Sequence, residues 1–249
     1  MKKNIFLAAL MLSIIALSCN KQSTPVPQSS PTNLPLKQMS LASHNQTYPG
    51  GGYASATLPA GDTIKSFSTT WIVPVTPPRD STIFWWNGLD GGACQPVLQW
   101  ENGGWTIANW YFNDDLDGKG PTYHHGTFVP VTSGTKLTGV ITLVSHTANS
   151  FTYKESFTGY TAADVTFTRS TVATGLVEDQ EAYTNTYLAF PNQTKLQMTG
   201  INCVLTNGSH PPNLTWTFNE GTYTTPLGHP QILVVSPSSS NGEIDFYLH

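Results

Sequence analysis

From residue 65 to residue 248 the chain is a succession of short runs rich in β-branched and aromatic residues, and no stretch keeps a helical period for a dozen residues. The runs fall at 65–73, 82–88, 96–100, 105–112, 136–145, 150–157, 164–168, 195–205, 214–218, 231–235 and 243–248. Turn dipeptides stand between them, among them Asn102-Gly103, Ser133-Gly134, Asn207-Gly208 and Asn241-Gly242. In Leu137-Thr138-Gly139-Val140-Ile141-Thr142-Leu143-Val144, threonine and apolar residues trade places as they do in a half-buried strand. The nearest approach to a helix, 171–183, is weakened by glycine and β-branched residues. Many short strands at regular spacing and no helices predict an all-β fold with antiparallel sheets, a β-sandwich or a barrel.

The N-terminus predicts the compartment. Lys2 and Lys3 precede an apolar run from Ile5 to Leu17, which is short of the roughly 20 residues a membrane span needs, and Ala16-Leu17-Ser18-Cys19 closes it. This resembles the processing site of bacterial lipoproteins. Residues 1–18 are then a signal peptide, and Cys19 becomes the lipidated N-terminus of a protein of the bacterial cell envelope, on the outer membrane. Residues 19–40 are proline-rich, small and polar, with no aromatic residue, and read as a flexible tether. The folded domain is expected over 41–249, touching the membrane only through the anchor.

Charged residues are 10% of the chain and the net charge is -4, with no basic cluster to neutralise phosphates, so nucleic acid is not an expected partner. With Cys19 lipidated, Cys94 and Cys203 remain. In an oxidising compartment they form the expected disulfide, although two such thiols can also be buried apart. Asn113-Asp114-Asp115-Leu116-Asp117-Gly118 begins like a calcium loop but has His124 where a bidentate glutamate belongs. No H-E-x-x-H occurs, His124 and His125 diverge, and neither a metal nor another cofactor is expected.

The most distinctive segment runs from Trp85 to Trp100, followed by Ala108-Asn109-Trp110-Tyr111. It places one uncharged amide, Gln99, in an apolar strand, where it must be hydrogen-bonded or line a groove. Trp86-Asn87-Gly88-Leu89-Asp90-Gly91, then Cys94, then Val97-Leu98-Gln99, resembles the W-x-G-I-D-G, Cys and I-L-Q order of the eqolisins, or glutamic peptidases. Thr70-Trp71-Ile72-Val73-Pro74 is similar to that family's tryptophan-to-proline strand, Trp110-Tyr111 to the start of W-Y-E-W-Y-P, and Ala173-Thr174-Gly175-Leu176-Val177-Glu178-Asp179 to A-E-W-I-V-E-D. Phe112 stands at the glutamate of the third motif and Gly175 at the tryptophan of the fourth.

The resemblance implies a concanavalin A-like jelly-roll sandwich that hydrolyses peptide bonds in acid, with Gln99 and Glu178 as the catalytic pair. Trp86, Asp90, Trp110 and Tyr111 are its expected substrate-binding residues. A carboxylate can take a proton from water as it attacks an amide and return it to the leaving amine, while a primary amide both orients the water and stabilises the oxyanion. The competing reading is a non-catalytic module that binds carbohydrate on Trp85, Trp86, Trp100, Trp105 and Trp110. In a third, the aromatics only fill the core of a structural lipoprotein. A glycosidase pair of Glu178 and Glu181 is disfavoured, because residues three apart on a strand face opposite sides.

Overall fold

The computed structural model describes residues 51–113, 122–184, 186–221 and 230–249, with side chains at all of these except 113 and 122. The signal peptide, Cys19 and the tether lie outside the described residues, as does most of the acidic loop after Asn113. No described helix is long and apolar enough to cross a membrane.

Among the described residues the strands are β1 (Gly52–Thr57), β2 (Ile64–Ile72), β3 (Ile83–Leu89), β4 (Cys94–Glu101), β5 (Gly104–Asn113), β6 (Thr122–His125), β7 (Val129–Pro130) and β8 (Lys136–Thr147). They continue as β9 (Ser150–Phe157), β10 (Val165–Arg169), β11 (Gly175–Ala182), β12 (Lys195–Leu205), β13 (Thr217–Asn219), β14 (Ile232–Ser236) and β15 (Gly242–Tyr247). Helix among the described residues is confined to two single 3-10 turns, Thr161–Ala163 and Tyr187–Ala189. One sheet has the order β13-β1-β11-β3-β4-β5-β6, with β7 also on β5; the other runs β10-β9-β8-β2-β12-β15-β14. The pairings among the described strands are antiparallel, and the fold is an all-β sandwich, one of the two architectures the strand pattern allows.

The two sheets meet over Phe67, Trp71, Trp85, Leu98, Ile107, Ile141, Tyr153, Phe157 and Phe246, all buried. Gly139 on β8 is held to glycine by this contact, since a Cβ there would collide with the Asn87 side chain and press on Pro96 and the Trp71 ring. The inner faces also bury Cys94 and Cys203, but as two separate free thiols. The expected disulfide is therefore absent, and burial pushes the Cys203 thiol up to about 12. Each cysteine packs as a small apolar side chain of its own strand.

One property of the larger sheet departs from a simple sandwich. An antiparallel sheet commonly leaves one face wet, yet β3, β4 and β11 are buried on both faces along most of their length. A second apolar cluster of Trp86, Val97, Ala108, Trp110 and Val177 covers the outer face, with Tyr53, Phe84 and Tyr123 packed against it. The candidate site lies there.

Candidate active site

The face of each side chain follows from cross-strand register. Glu178 of β11 pairs with Asn87 of β3, whereas Glu181 pairs with Phe84, which in turn pairs with Gln99 of β4. Phe84 and Asn87 are three apart and so point to opposite sides of the sheet. Glu178 consequently enters the core, fully buried, where its Oε1 accepts a hydrogen bond from Thr69 of the opposing sheet. Asn87 points the same way and donates to the Gly139 carbonyl at 3.4 Å. Gln99 faces outward, its Nε2 reaching 3.5 Å to Glu101. The sequence-selected pair is thus split between the two faces of one sheet, and the two side chains do not converge.

A different carboxyl stands on the side of Gln99. Glu181, Phe84 and Gln99 form one row across three adjacent strands, and Asp179, Trp86 and Val97 form the next. Glu181 lines a small cavity together with Phe84, Trp86, Gln95, Val97 and Trp110. Its Oε2 is buried without a partner, and so are Gln99 Oε1, Trp86 Nε1 and Trp110 Nε1. Burial pushes the Glu181 carboxyl up to about 8. Asp179 is also raised well above the usual range, first by burial and then by the charge of Glu181. Two such groups resist ionising together.

The aromatic face around this cavity is the groove of the candidate site. Tyr123 of β6 packs against the apolar cluster, whose Trp110 and Ala108 lie on the adjacent β5, and its phenol feels the charges of Glu181 and Asp179. An aromatic step of Trp110, His125 and Phe128 continues one wall, with ring centroids 4.7 Å apart for Trp110–His125 and 4.5 Å for His125–Phe128.

Of the residues expected to bind substrate, Trp86 and Trp110 line the cavity, but Asp90 and Tyr111 are committed elsewhere. Asp90 has φ 46° in the β3–β4 turn; its Oδ1 accepts from the backbone N–H groups of Thr174 and Gly175 at 2.9 Å, and its Oδ2 from Arg169 at 2.8 Å. It anchors the start of β11. Tyr111 stacks on Phe167, centroids 4.7 Å apart, against the main core. Sequence reasoning missed Gln95, Asp179 and Tyr123, and weighed Glu181 only as half of a disfavoured glycosidase pair. Strict alternation along β11 from Val177 would have placed Asp179 and Glu181 together, but nothing in the sequence says which of its faces is the groove. Among the described residues no cluster of His, Cys, Asp and Glu is arranged to hold a metal.

No protein-family model matches this chain, and no curated protein does. Among solved structures it is similar to scytalido-glutamic peptidase bound to a peptide-based transition state analog, at 13% identity and TM-score 0.46, covering 80% of this chain and 98% of that one. It is also similar to SCP-B, a member of the eqolisin family of peptidases in complex with the tripeptide Ala-Ile-His, at 17% identity and TM-score 0.41 with the same coverage. Likeness this distant identifies neither residues nor a reaction.

Proposed function

We propose that the outer groove of the larger sheet hydrolyses peptide bonds, with Glu181 as general base and then acid, and Gln99 as the oxyanion donor. The observation that carries this reading is the shared row: Glu181 and Gln99 stand on one face on either side of Phe84, 4% and 5% exposed, each with an oxygen that no protein group satisfies. The sequence resemblance to the glutamic peptidases around Gln99 supports it. The carboxylate of Glu181 takes a proton from water as the water oxygen attacks the amide carbon. Gln99 Nε2–H donates to the carbonyl oxygen as it becomes negative. Glu181 then passes its proton to the leaving nitrogen as the C–N bond breaks.

Both groove carboxyls are raised, so their singly ionised state lies above the ordinary carboxylate range, and the optimum is expected closer to neutrality than an unperturbed glutamate would place it. Purified protein incubated with an unfolded polypeptide across roughly pH 3 to 9, a range bracketing that state, should cleave it with a bell-shaped profile. A protein that cleaves nothing anywhere in that range would leave ligand binding as the better account.

Anchoring through Cys19 would hold this groove at the cell envelope. Intact-mass analysis of the membrane-extracted protein should then show a diacylglyceryl-modified chain starting at Cys19, and recovery of a chain retaining Met1 would exclude it.

A further inference from the structure

One wall of the groove ends in an aromatic side chain open to solvent. Of the two exposed phenylalanines among the described residues, Phe218 pairs with Ala54, itself the cross-strand partner of Glu178, and so lies on the core side of the sheet. Phe128 lies on the groove side, 39% exposed, and meets Trp110 edge-on at 5.9 Å. Register fixes where this wall stands. Gln95, Trp110 and His125 form one row across β4, β5 and β6, and Gln99, Thr106 and Pro130 form another across β4, β5 and β7. Phe128 lies in the connection between the outer ends of these rows, packed on both Trp110 and His125. His125 is exposed too, and its Nδ1–H donates to the Gly126 carbonyl at 2.8 Å, which fixes the ring on the wall.

We propose, on the peptidase reading of Glu181 and Gln99, that Phe128 is the specificity-determining residue of the groove: backed by Trp110 and His125, it receives an aromatic side chain of the polypeptide substrate. The small cavity beside Glu181 has room for about one water molecule, so it admits no bulky side chain, and selection between substrates falls to the open wall. Trp110 belongs to both, which makes the wall continuous with the cavity. The three rings are tilted against one another by 38° to 61°, leaving edges and faces to which a fourth ring adds an offset or edge-to-face contact that an aliphatic side chain cannot make. The cavity's apolar lining and the committed Nδ1 of His125 favour a hydrocarbon ring over a sugar. β6 and β7 stand two strand steps from β4, about 10 Å at the usual spacing, which about three residues of extended chain cover. The selected side chain therefore belongs to a residue about three positions from the bond cleaved over Gln99.

The test uses the full-length chain. Cut sites in an unfolded polypeptide, read by mass spectrometry, should show Phe, Tyr or Trp enriched at one fixed position about three residues from the cleaved bond. In Phe128→Ala, kcat/KM should fall about 5-fold to 10-fold on a peptide carrying phenylalanine there, the size of one lost ring contact, and stay level on the same peptide carrying alanine. A variant that fails to fold would lose both alike, and Phe128→Tyr, which keeps the ring, should keep the preference. Binding is read separately on Glu181→Gln, which leaves the wall intact, by following the Phe128 and His125 ring resonances as the phenylalanine peptide, the alanine peptide or neutral gluco-oligosaccharides are added. Shifts specific to the phenylalanine peptide support the wall even if the wild type cleaves nothing, in which case the peptidase reading alone falls. Cleavage with no fixed aromatic position, or a Phe128→Ala variant that keeps the preference, overturns the inference. So do rings that respond equally to the alanine peptide, to the oligosaccharides in place of the peptide, or to none of the three.

Discussion

Glu181→Gln is expected to lower turnover by about 10²-fold or more, the usual size of a lost acid–base group, whereas Glu178→Gln should leave turnover nearly unchanged. The two substitutions are chemically identical and lie three residues apart, so they separate the assignments cleanly. Motif matching selects Glu178, but that side chain points between the sheets and bonds to Thr69, out of reach of any substrate in the groove. Glu181 faces the cavity with a free oxygen. Gln99→Ala should cost about 10²-fold by removing the oxyanion donor. The Gln99→Ala, Glu181→Gln double variant should fall far short of the product of the single losses, because residues that act as a unit are not additive. Single-turnover rates on one unfolded substrate would make the comparison. An inactive Glu178→Gln beside an active Glu181→Gln would restore the motif-based assignment and refute the groove described here.

The alternation of Thr and apolar residues along 136–145 was sufficient to read β8, and the runs at 150–157 and 195–205 coincide with β9 and β12. Patterning worked there because one face is dry and the other carries hydroxyls. It missed β1 and the short β6 and β7, and it blurred β11. Strands buried on both faces lose their alternation, and β11 buries every residue after Gly175. The site suffered most from this. A one-residue difference in register exchanges the faces of a strand. Gln99 was still legible, as an amide among aromatics, but the carboxyl facing it was not. Its side is set by pairing with Phe84, a contact 97 positions away (181 minus 84) that only the fold supplies. The disulfide expectation failed likewise, because spacing does not reveal that Cys94 and Cys203 are buried apart.

The folded protein is expected to become more stable as the pH falls from 7 to about 4.5, the reverse of ordinary acid denaturation. Glu155 and Glu178 are both fully buried in the core, and desolvation raises each carboxyl well above its usual range. A carboxyl raised in the folded state contributes its full stability below the unfolded value, near 4.5, and loses it as pH climbs toward the folded value. Over that window each group removes up to about 1.4 kcal/mol per pH unit. Asp179 and Glu181 act in the same direction, so the groove adds to the same loss as the pH approaches neutrality. Glu178 gives the sharpest test. Its Oε2 is unpaired, and so is the Oδ1 of Asn87, its cross-strand neighbour on the same face. A proton on Oε2 turns one of two facing acceptors into a donor. Glu178→Gln supplies that donor permanently and keeps an oxygen for Thr69, so it should cost little at pH 4.5, stabilise the protein at pH 7, and flatten the slope between them by up to about 1.4 kcal/mol per unit. Urea midpoints measured across this range would show it. A wild type whose midpoint rises with pH, or a Glu178→Gln variant that keeps the wild-type slope, would mean that Glu178 ionises in the folded protein and that the core around it admits water.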